Sequence, residues 1–447
     1  MNLTLKEIVD YLKIETPSSV EGVVTNVEFD SRLITAGSLF VPLAGARDGH
    51  EFIQSAIDKG AVATFWSRPL DEAPAGIAVL PVPDVKVAFQ QLAVYYQTKV
   101  APKVVAITGS NGKTTTKDMT EAVLAQQYQT YKTQGNYNND LGMPYTMLHM
   151  PTSTQVLILE MGMNHADEIA FLSKLAKPDA AAITMIGEAH IENLGSRAGI
   201  AAAKMEIVEG LAPDGLLLIP AEEPLLKPLV ADLTQTVETF GLSTGSIQGS
   251  IQSESKAETV FTIDGVTFTI PVLGGYNVTN ALIAYGFGRH FEIPVEKIAE
   301  GLAHFQLTKN RTEWKKAANG ADLLSDVYNA NPTAMGLVLE SFGKLQGEGR
   351  RIAVLADMLE LGPDSKQMHA QMAAHIGDAY DTIFLYGTEM QALQEQLRTS
   401  DIEVNYFTTE QKAALTTALQ TYMQPSDSVL FKGSNGMGLA EVVEALI

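Results

Sequence analysis

Residues 103–124, KVVAITGSNGKTTTKDMTEAVL, read as a β-branched strand ending at Thr108, a turn containing Gly109 and Gly112, and a helix beginning at Lys113. A strand that runs through a glycine turn into a helix aims backbone N–H groups and the positive helix end at one point, which is how phosphate oxygens are held. Gly109 and Gly112 let the backbone come close to a ligand. Ser110, Asn111 and Thr115 complete the loop; Lys113 is placed for the outer phosphates and the Thr114 hydroxyl for Mg²⁺. Only two residues separate the glycines, so the longer G-x-x-x-x-G-K-[ST] spacing is not met. The plain alternative is an ordinary strand-to-helix turn with an exposed lysine.

Downstream, the same rhythm repeats. Strand candidates VLILEMG (156–162), AAITMIG (181–187) and GLLLIP (215–220) alternate with helical sequence such as IAAAKMEIVEG (200–210). Residues 234–271 are rich in Thr, Ser, Ile and Val, and ETVFTIDGVTFTI (258–270) predicts an antiparallel excursion before a helix that begins near Asn277. After Arg311 the pattern restarts with ADLLSDVYNANP, RIAVLADMLELG, DTIFLYG and SVLFKGSNGMGLAEVVEAL, four apolar strands that each end in a polar loop. Upstream, residues 1–100 are mixed, with a helix predicted over 5–13, prolines at 69, 74, 81 and 83, and a helix over 84–99 before Pro102. The expected fold is α/β in three domains: a mixed α/β N-terminal domain over 1–100, a central P-loop α/β ATPase-like domain over 101–310, and a C-terminal Rossmann-like domain over 311–447. A length of 447 residues agrees with this at roughly 100–200 residues per domain.

Composition narrows the function. With 31 basic against 52 acidic side chains the formal net charge is −21, which argues against a nonspecific nucleic-acid binder. A phosphorylated ligand therefore needs local cations, backbone N–H groups or metal ions. The absence of cysteine excludes disulfide frameworks, thiolate metal sites and cysteine nucleophiles. The first residues, MNLTLKEIVDYLKIE, lack an uninterrupted signal core, and no run of about 18 apolar residues follows. A cytoplasmic protein without stable membrane insertion is expected, with a monomer as the default state.

Other candidates lie at strand ends. Glu160 closes an apolar strand and could share Mg²⁺ with Thr114 and phosphate oxygens, or could be a solvated strand-end acid. His190, in GEAHIE, could bind a second metal; a lone histidine is more often structural. Lys204 sits among apolar helix residues, where a charge is costly unless paired or chemically changed, although a snorkelling lysine is the simpler account. The loop TQGNYNNDLGMP (133–144) is asparagine-rich, which reads first as turn-forming sequence.

Taken in order, TGSNGKTT, LEMG, GEAHIENLGS with AKMEI, GGYNVTNALIA, NRTEW and DVYNANP resemble the Mur ligases, ATP-dependent enzymes that build the peptide of bacterial cell-wall precursors. The likeness covers nearly the whole chain. FDSRLITAGSLFVPLAGARDGHEFI (29–53) is similar to the family's uridine-nucleotide-binding domain, while DVYNANP and DMLELG are similar to the D-alanyl-D-alanine-adding members. No DNPR-like motif of the diaminopimelate-adding members is present. The resemblance implies that ATP phosphorylates the terminal carboxylate of UDP-N-acetylmuramoyl-tripeptide and that the amine of D-alanyl-D-alanine attacks the acyl phosphate. It implies two Mg²⁺ ions, the first held by Thr114 and Glu160, the second by His190 with a carbamylated Lys204. Asn277 and Asn280 would contact the nucleotide, Arg311 the γ-phosphate, and Asp326 and Tyr328 the ribose and base, with the third domain closing on ATP. Ser31, Arg32, Arg47 and His50 would take the sugar nucleotide, Asn136, Asn138 and Asn139 the muramyl peptide, and Asp357 and Glu360 the incoming amine. The chain departs from the family pattern at Ala356, at Thr333-Ala334 and after KGS at 432–434, positions that bear on the amine substrate. Two other readings are a tripeptide-forming member of the family and a P-loop ATPase acting as a nucleotide-gated regulator. A folate-adding ligase of the same superfamily would lack the DSR-containing first region.

Overall fold

The computed structural model describes residues 1–16, 21–308, 311–347 and 349–447. The expected boundary at 310, and with it Asn310 of the NRTEW motif, lies outside them.

The first helix, Leu5–Leu12, starts where Thr4 accepts the Glu7 N–H while the Glu7 carboxylate accepts the Thr4 N–H. It ends at Lys13, in the left-handed conformation. Beyond it, Asn26–Glu28, Ser38–Phe40, Ala63–Trp66 and Ala78–Pro81 form a four-stranded parallel sheet in chain order. The helix Val85–Val100 is capped by Asp84, whose carboxylate accepts the Val87 N–H, and it stops at Ala101 just before Pro102.

The central sheet has nine strands. From the inner strand Lys103–Thr108, the order runs one way through Val156–Glu160 to Thr130–Lys132. The other way it runs through Ala180–Ile183, Leu216–Pro220, Thr236–Gly241, Ile247–Glu254 and Thr259–Ile263 to Val266–Ile270. Pairing is parallel as far as Ile247–Glu254, and antiparallel in the last two pairs. The antiparallel excursion is therefore shorter than 234–271: Thr236–Gly241 continues the parallel sheet beside Leu216–Pro220. The C-terminal sheet has six strands in the order Glu313–Lys316, Asp322–Asp326, Ser428–Lys432, Arg351–Ala356, Thr382–Tyr386, Glu403–Phe407, parallel but for the first. Its two edge strands, whose sequences are only partly apolar, come in addition to the four strands expected.

Strand alternation assigns neighbouring residues to opposite layers. Val104 and Ala106, Leu157 and Leu159, and Leu217 and Ile219 face one side of the central sheet. Val105 and Ile107, Val156 and Ile158, and Leu216 and Leu218 face the other, against Val278, Leu282 and Phe287 of the helix Gly275–His290. The first of these clusters also takes in Leu3, Ile8, Phe65, Phe89 and Tyr96 from the N-terminal region, so the two regions share one continuous core. Each such side chain contributes roughly 1.5–3 kcal/mol when fully buried. The C-terminal sheet has clusters of its own on its two faces, with Leu324, Leu355 and Leu385 on one and Leu323, Val354 and Phe384 on the other. Among the described residues, the central domain reaches them through Leu273 and the partly buried Ile191 and Tyr276. No helix among the described residues is long and apolar enough to cross a membrane.

Candidate active site

The carboxyl ends of the central parallel strands and of the C-terminal strands face one another, and ligands collect at such ends in open α/β sheets. Gly109 follows the strand Lys103–Thr108 at φ 153°, and a Cβ there would lie 1.7 Å from Thr184 Oγ1. Gly112 stands at φ 80°, where a Cβ would lie 2.5 Å from Asn280 Oδ1. Both positions require glycine. The helix Lys113–Leu124 has no side-chain N-cap, so its first N–H groups remain available to an anion.

The side chains around this loop form a connected set. Thr114 Oγ1 donates to Glu160 Oε2 at 2.9 Å, and Asn138 Nδ2 donates to Glu160 Oε1 at 2.8 Å. Arg311 reaches across from the start of the C-terminal domain, donating to Thr114 Oγ1 at 3.1 Å, with its guanidinium 3.9 Å above the Tyr328 ring. Lys113 Nζ donates back to Gly109 O at 2.8 Å. Lys204 is 2% exposed, and burial together with the charge of Lys113 holds its amine well below the usual lysine range. It makes no ion pair among the described residues. His190 Nδ1 is 2.5 Å from Glu360 Oε2, close as a charge pair but without an aligned hydrogen bond. Burial lowers the His190 pKa, with Glu360 opposing and Lys113 and Lys204 assisting.

Most of the phosphate-loop and metal candidates meet in one cavity of about 230 Å³. Gly109 to Lys113, Asn138, Asn139, Glu160, His190, Lys204, Arg311 and Tyr328 all line it. Lys113, Lys204 and Arg311 line it with Glu160 and Glu168, so a strongly acidic chain gathers three basic side chains in one hollow. Beyond Asn111 and Gly112 lies a second, largely apolar hollow of about 180 Å³, lined by Phe240, Leu242, Tyr276, Asn280 and Leu337 among others. Its place beside the phosphate loop suits a nucleoside base.

Other candidates have different surroundings. Asn277 is buried, donating to Leu273 O and accepting from Asn280, so it braces its helix start. Asp326 is paired with the buried Lys432, 2.6 Å away. Asp357 does not line the cavity: its carboxylate oxygens accept the N–H groups of Thr388 and Met390. Asn139 lines the cavity while its Oδ1 accepts the Leu141 and Gly142 N–H groups, and Asn136 is exposed. Ser31, Arg32 and Arg47 lie on the N-terminal region, with Arg32 ion-paired to Asp30 and Arg47 to Glu51. His50 is buried with Nδ1 2.7 Å from Asp48 and Nε2 accepting the Ser67 N–H at 3.3 Å. Replacing it, His50→Ala, is expected to cost roughly 1–3 kcal/mol by leaving these partners unsatisfied. A fall in melting temperature would show this; unchanged melting with a raised KM for a sugar nucleotide would mark a substrate contact instead.

Sequence reading missed Lys117, which is 1% exposed and donates to Thr133 O at 2.8 Å. Thr133 Oγ1 in turn accepts the Glu160 N–H. Lys117 thus ties the asparagine-rich loop to the phosphate-loop helix. Its available signal was position, one helical turn beyond Lys113.

Comparison with known proteins covers the whole chain. Family models described as "Mur ligase family, catalytic domain", "Mur ligase middle domain" and "Mur ligase, glutamate ligase domain" match residues 23–97, 107–288 and 310–435. UDP-N-acetylmuramoyl-tripeptide–D-alanyl-D-alanine ligase of Bacillus subtilis is 41% identical over 99% of this chain and 98% of its own length. The Escherichia coli enzyme of that name is 32% identical over 100% and 98%. Among solved structures, MurF from Acinetobacter baumannii superposes with a TM-score of 0.90 at 29% identity, covering 100% of this chain and 99% of its own. The Thermotoga maritima MurF ligase in complex with ADP gives 0.82 at 25% identity, covering 94% and 96%.

Proposed function

The chain belongs to the Mur ligase family, and from that premise we propose that it joins D-alanyl-D-alanine to UDP-N-acetylmuramoyl-tripeptide in an ATP-driven, cytoplasmic step of peptidoglycan synthesis. The observation that carries this reading is the cavity that unites the phosphate loop, Glu160, His190, Lys204 and Arg311 between two domains, in a chain alike over its full length to enzymes of that name. The N-terminal region, 1–100, takes the sugar nucleotide, residues 101–310 the ATP, and 311–447 the dipeptide.

In the first step the tripeptide carboxylate attacks the γ-phosphorus of ATP, and ADP leaves. In the second the dipeptide amine attacks the acyl carbon, and the tetrahedral intermediate expels phosphate as the amide forms. The first step brings together several negative charges, and Lys113 and Arg311 offset their repulsion from fixed positions. Glu360, beside His190, faces the incoming ammonium.

The donor set suits Mg²⁺. Thr114 Oγ1 and Glu160 Oε2, 2.9 Å apart, are hard oxygens of the kind Mg²⁺ takes, and they would hold the ion together with phosphate oxygens. His190 would hold a second ion, and there the hard oxygens that Mg²⁺ prefers would come from a carbamate on Lys204. Bound at these places, Mg²⁺ would neutralise phosphate charge.

The test supplies UDP-N-acetylmuramoyl-tripeptide, Mg-ATP and D-alanyl-D-alanine and follows the ligated product by mass spectrometry. Product is expected only with all three present. Its absence from folded enzyme, or equal phosphate release without the dipeptide, would overturn the reading.

A further inference from the structure

The segment Gly187–Glu188 lies between the phosphate loop and the C-terminal domain and touches both. On one side, Ser110 Oγ donates to Gly187 O at 3.3 Å, and Ser110 N–H to Met185 O at 3.0 Å. On the other, the Glu188 carboxylate accepts the Thr333 N–H at 3.0 Å, and the Thr333 hydroxyl lies 2.8 and 2.9 Å from its two oxygens. A Cβ on Gly187 would lie 3.1 Å from Asn331 Oδ1 and 3.4 Å from Ser110 Cβ, so the two domains meet closely around a residue without a side chain. Arg197 steadies the segment, donating to Ile186 O at 2.9 Å and pairing with Glu223 at 2.8 Å.

Thr333 belongs to the first turn of the helix Pro332–Gly343, where N–H groups lack partners within the helix and the helix dipole favours an anion. Glu188 supplies that anion from the neighbouring domain. Five residues before Thr333 stands Tyr328, whose ring lies under the Arg311 guanidinium. We propose that Glu188 is a positioning residue: by gripping Thr333 it seats the Tyr328–Thr333 loop, and Arg311 with it, over the phosphate loop that Ser110 anchors to the same segment. Nucleotide in the loop and the C-terminal domain are thereby coupled through one carboxylate. This rests on the chain being an ATP-dependent ligase, and goes beyond it by naming the contact that aligns the two halves of the site.

An introduced charge tests it. Thr333→Asp sets two carboxylates against each other and is expected to lower kcat/KM for ATP at least tenfold, leaving KM for the UDP-tripeptide unchanged. Adding Glu188→Gln restores an amide donor between them, and is expected to return kcat/KM to within about threefold of wild type. Small-angle scattering with Mg-ADP should report an expanded particle for Thr333→Asp and wild-type dimensions for the double variant. Wild-type kinetics in Thr333→Asp, or a loss that Glu188→Gln does not relieve, would overturn the proposal. Should Thr333→Asp fail to fold, Thr333→Val removes the hydroxyl alone; a three- to tenfold rise in KM for ATP supports the clasp, and an unchanged value overturns it. The scattering difference does not depend on the amine acceptor, so an inactive wild type would refute the ligase reading without disguising a failed clasp.

Discussion

Lys113→Ala is expected to remain folded and to lose ligated product, with kcat lowered by at least about 10²–10³-fold, the size of effect seen when one preorganised charge-stabilising donor is removed. Lys113 opens the helix Lys113–Leu124, with its Nζ 2.8 Å from Gly109 O, curled back over the loop that lines the cavity. In that position it would complete a ring of donors around the outer phosphates of a bound nucleotide. Burial and the nearby Arg311 push its pKa below the ordinary value while Glu160 pulls it back up. Alanine removes that charge and keeps the helix, because Ala is the better helix former. Circular dichroism and melting would verify the fold, and quenched-flow measurement of ADP formation would place the loss in the phosphoryl step. Near-wild-type turnover would mean that the cation serves the loop's shape alone.

The second large effect concerns Lys204. An ammonium that is 2% exposed, has no anionic partner among the described residues and shares a cavity with Lys113 and Arg311 is electrostatically costly. Burial and the charge of Lys113 bias its amine towards the neutral form, and a neutral amine can attack carbon dioxide: the nitrogen lone pair forms the N–C bond, one N–H proton leaves, and a carbamate anion results. The new anion would balance the surrounding cations and offer oxygen donors beside His190. Enzyme depleted of carbon dioxide is expected to fall about tenfold or more in activity and to recover on adding bicarbonate. Lys204→Ala is expected to lose about 10²–10³-fold and not to respond to bicarbonate. Carbon-13 bicarbonate should give a carbamate resonance in wild type that the variant lacks. Activity indifferent to bicarbonate, with no such resonance, would refute the modification.

Much of this was legible in the sequence because the informative residues are local. TGSNGKTT carries its geometry in consecutive residues, and the strands ending at Thr108, Glu160 and Ile183 announce themselves as apolar runs cut off by polar ones. What was not legible depends on contacts far apart in the chain. Asp357 looks like a free acid at a strand end, and only the fold brings the Thr388 and Met390 N–H groups to its oxygens. Asp326 needed Lys432, 106 residues away, to declare itself paired. Thr236–Gly241 has the composition of a hairpin strand, and the register that makes it parallel is set by its neighbour Leu216–Pro220.

The core shared by the N-terminal region and the central sheet has a further meaning for substrate choice. Since Leu3, Phe65 and Phe89 pack into the same cluster as Ala106 and Leu159, the region proposed to anchor the uridine end cannot shift relative to the phosphate loop without opening that cluster. With the uridine end held there as proposed, the pair would work as a ruler. Each peptide residue adds at most about 3.3–3.6 Å of reach, so a nucleotide carrying a peptide one residue short would leave its carboxylate out of reach of Lys113, while the finished product would overshoot. Chain length would be read by the rigidity of a hydrophobic core, with no side chain devoted to counting.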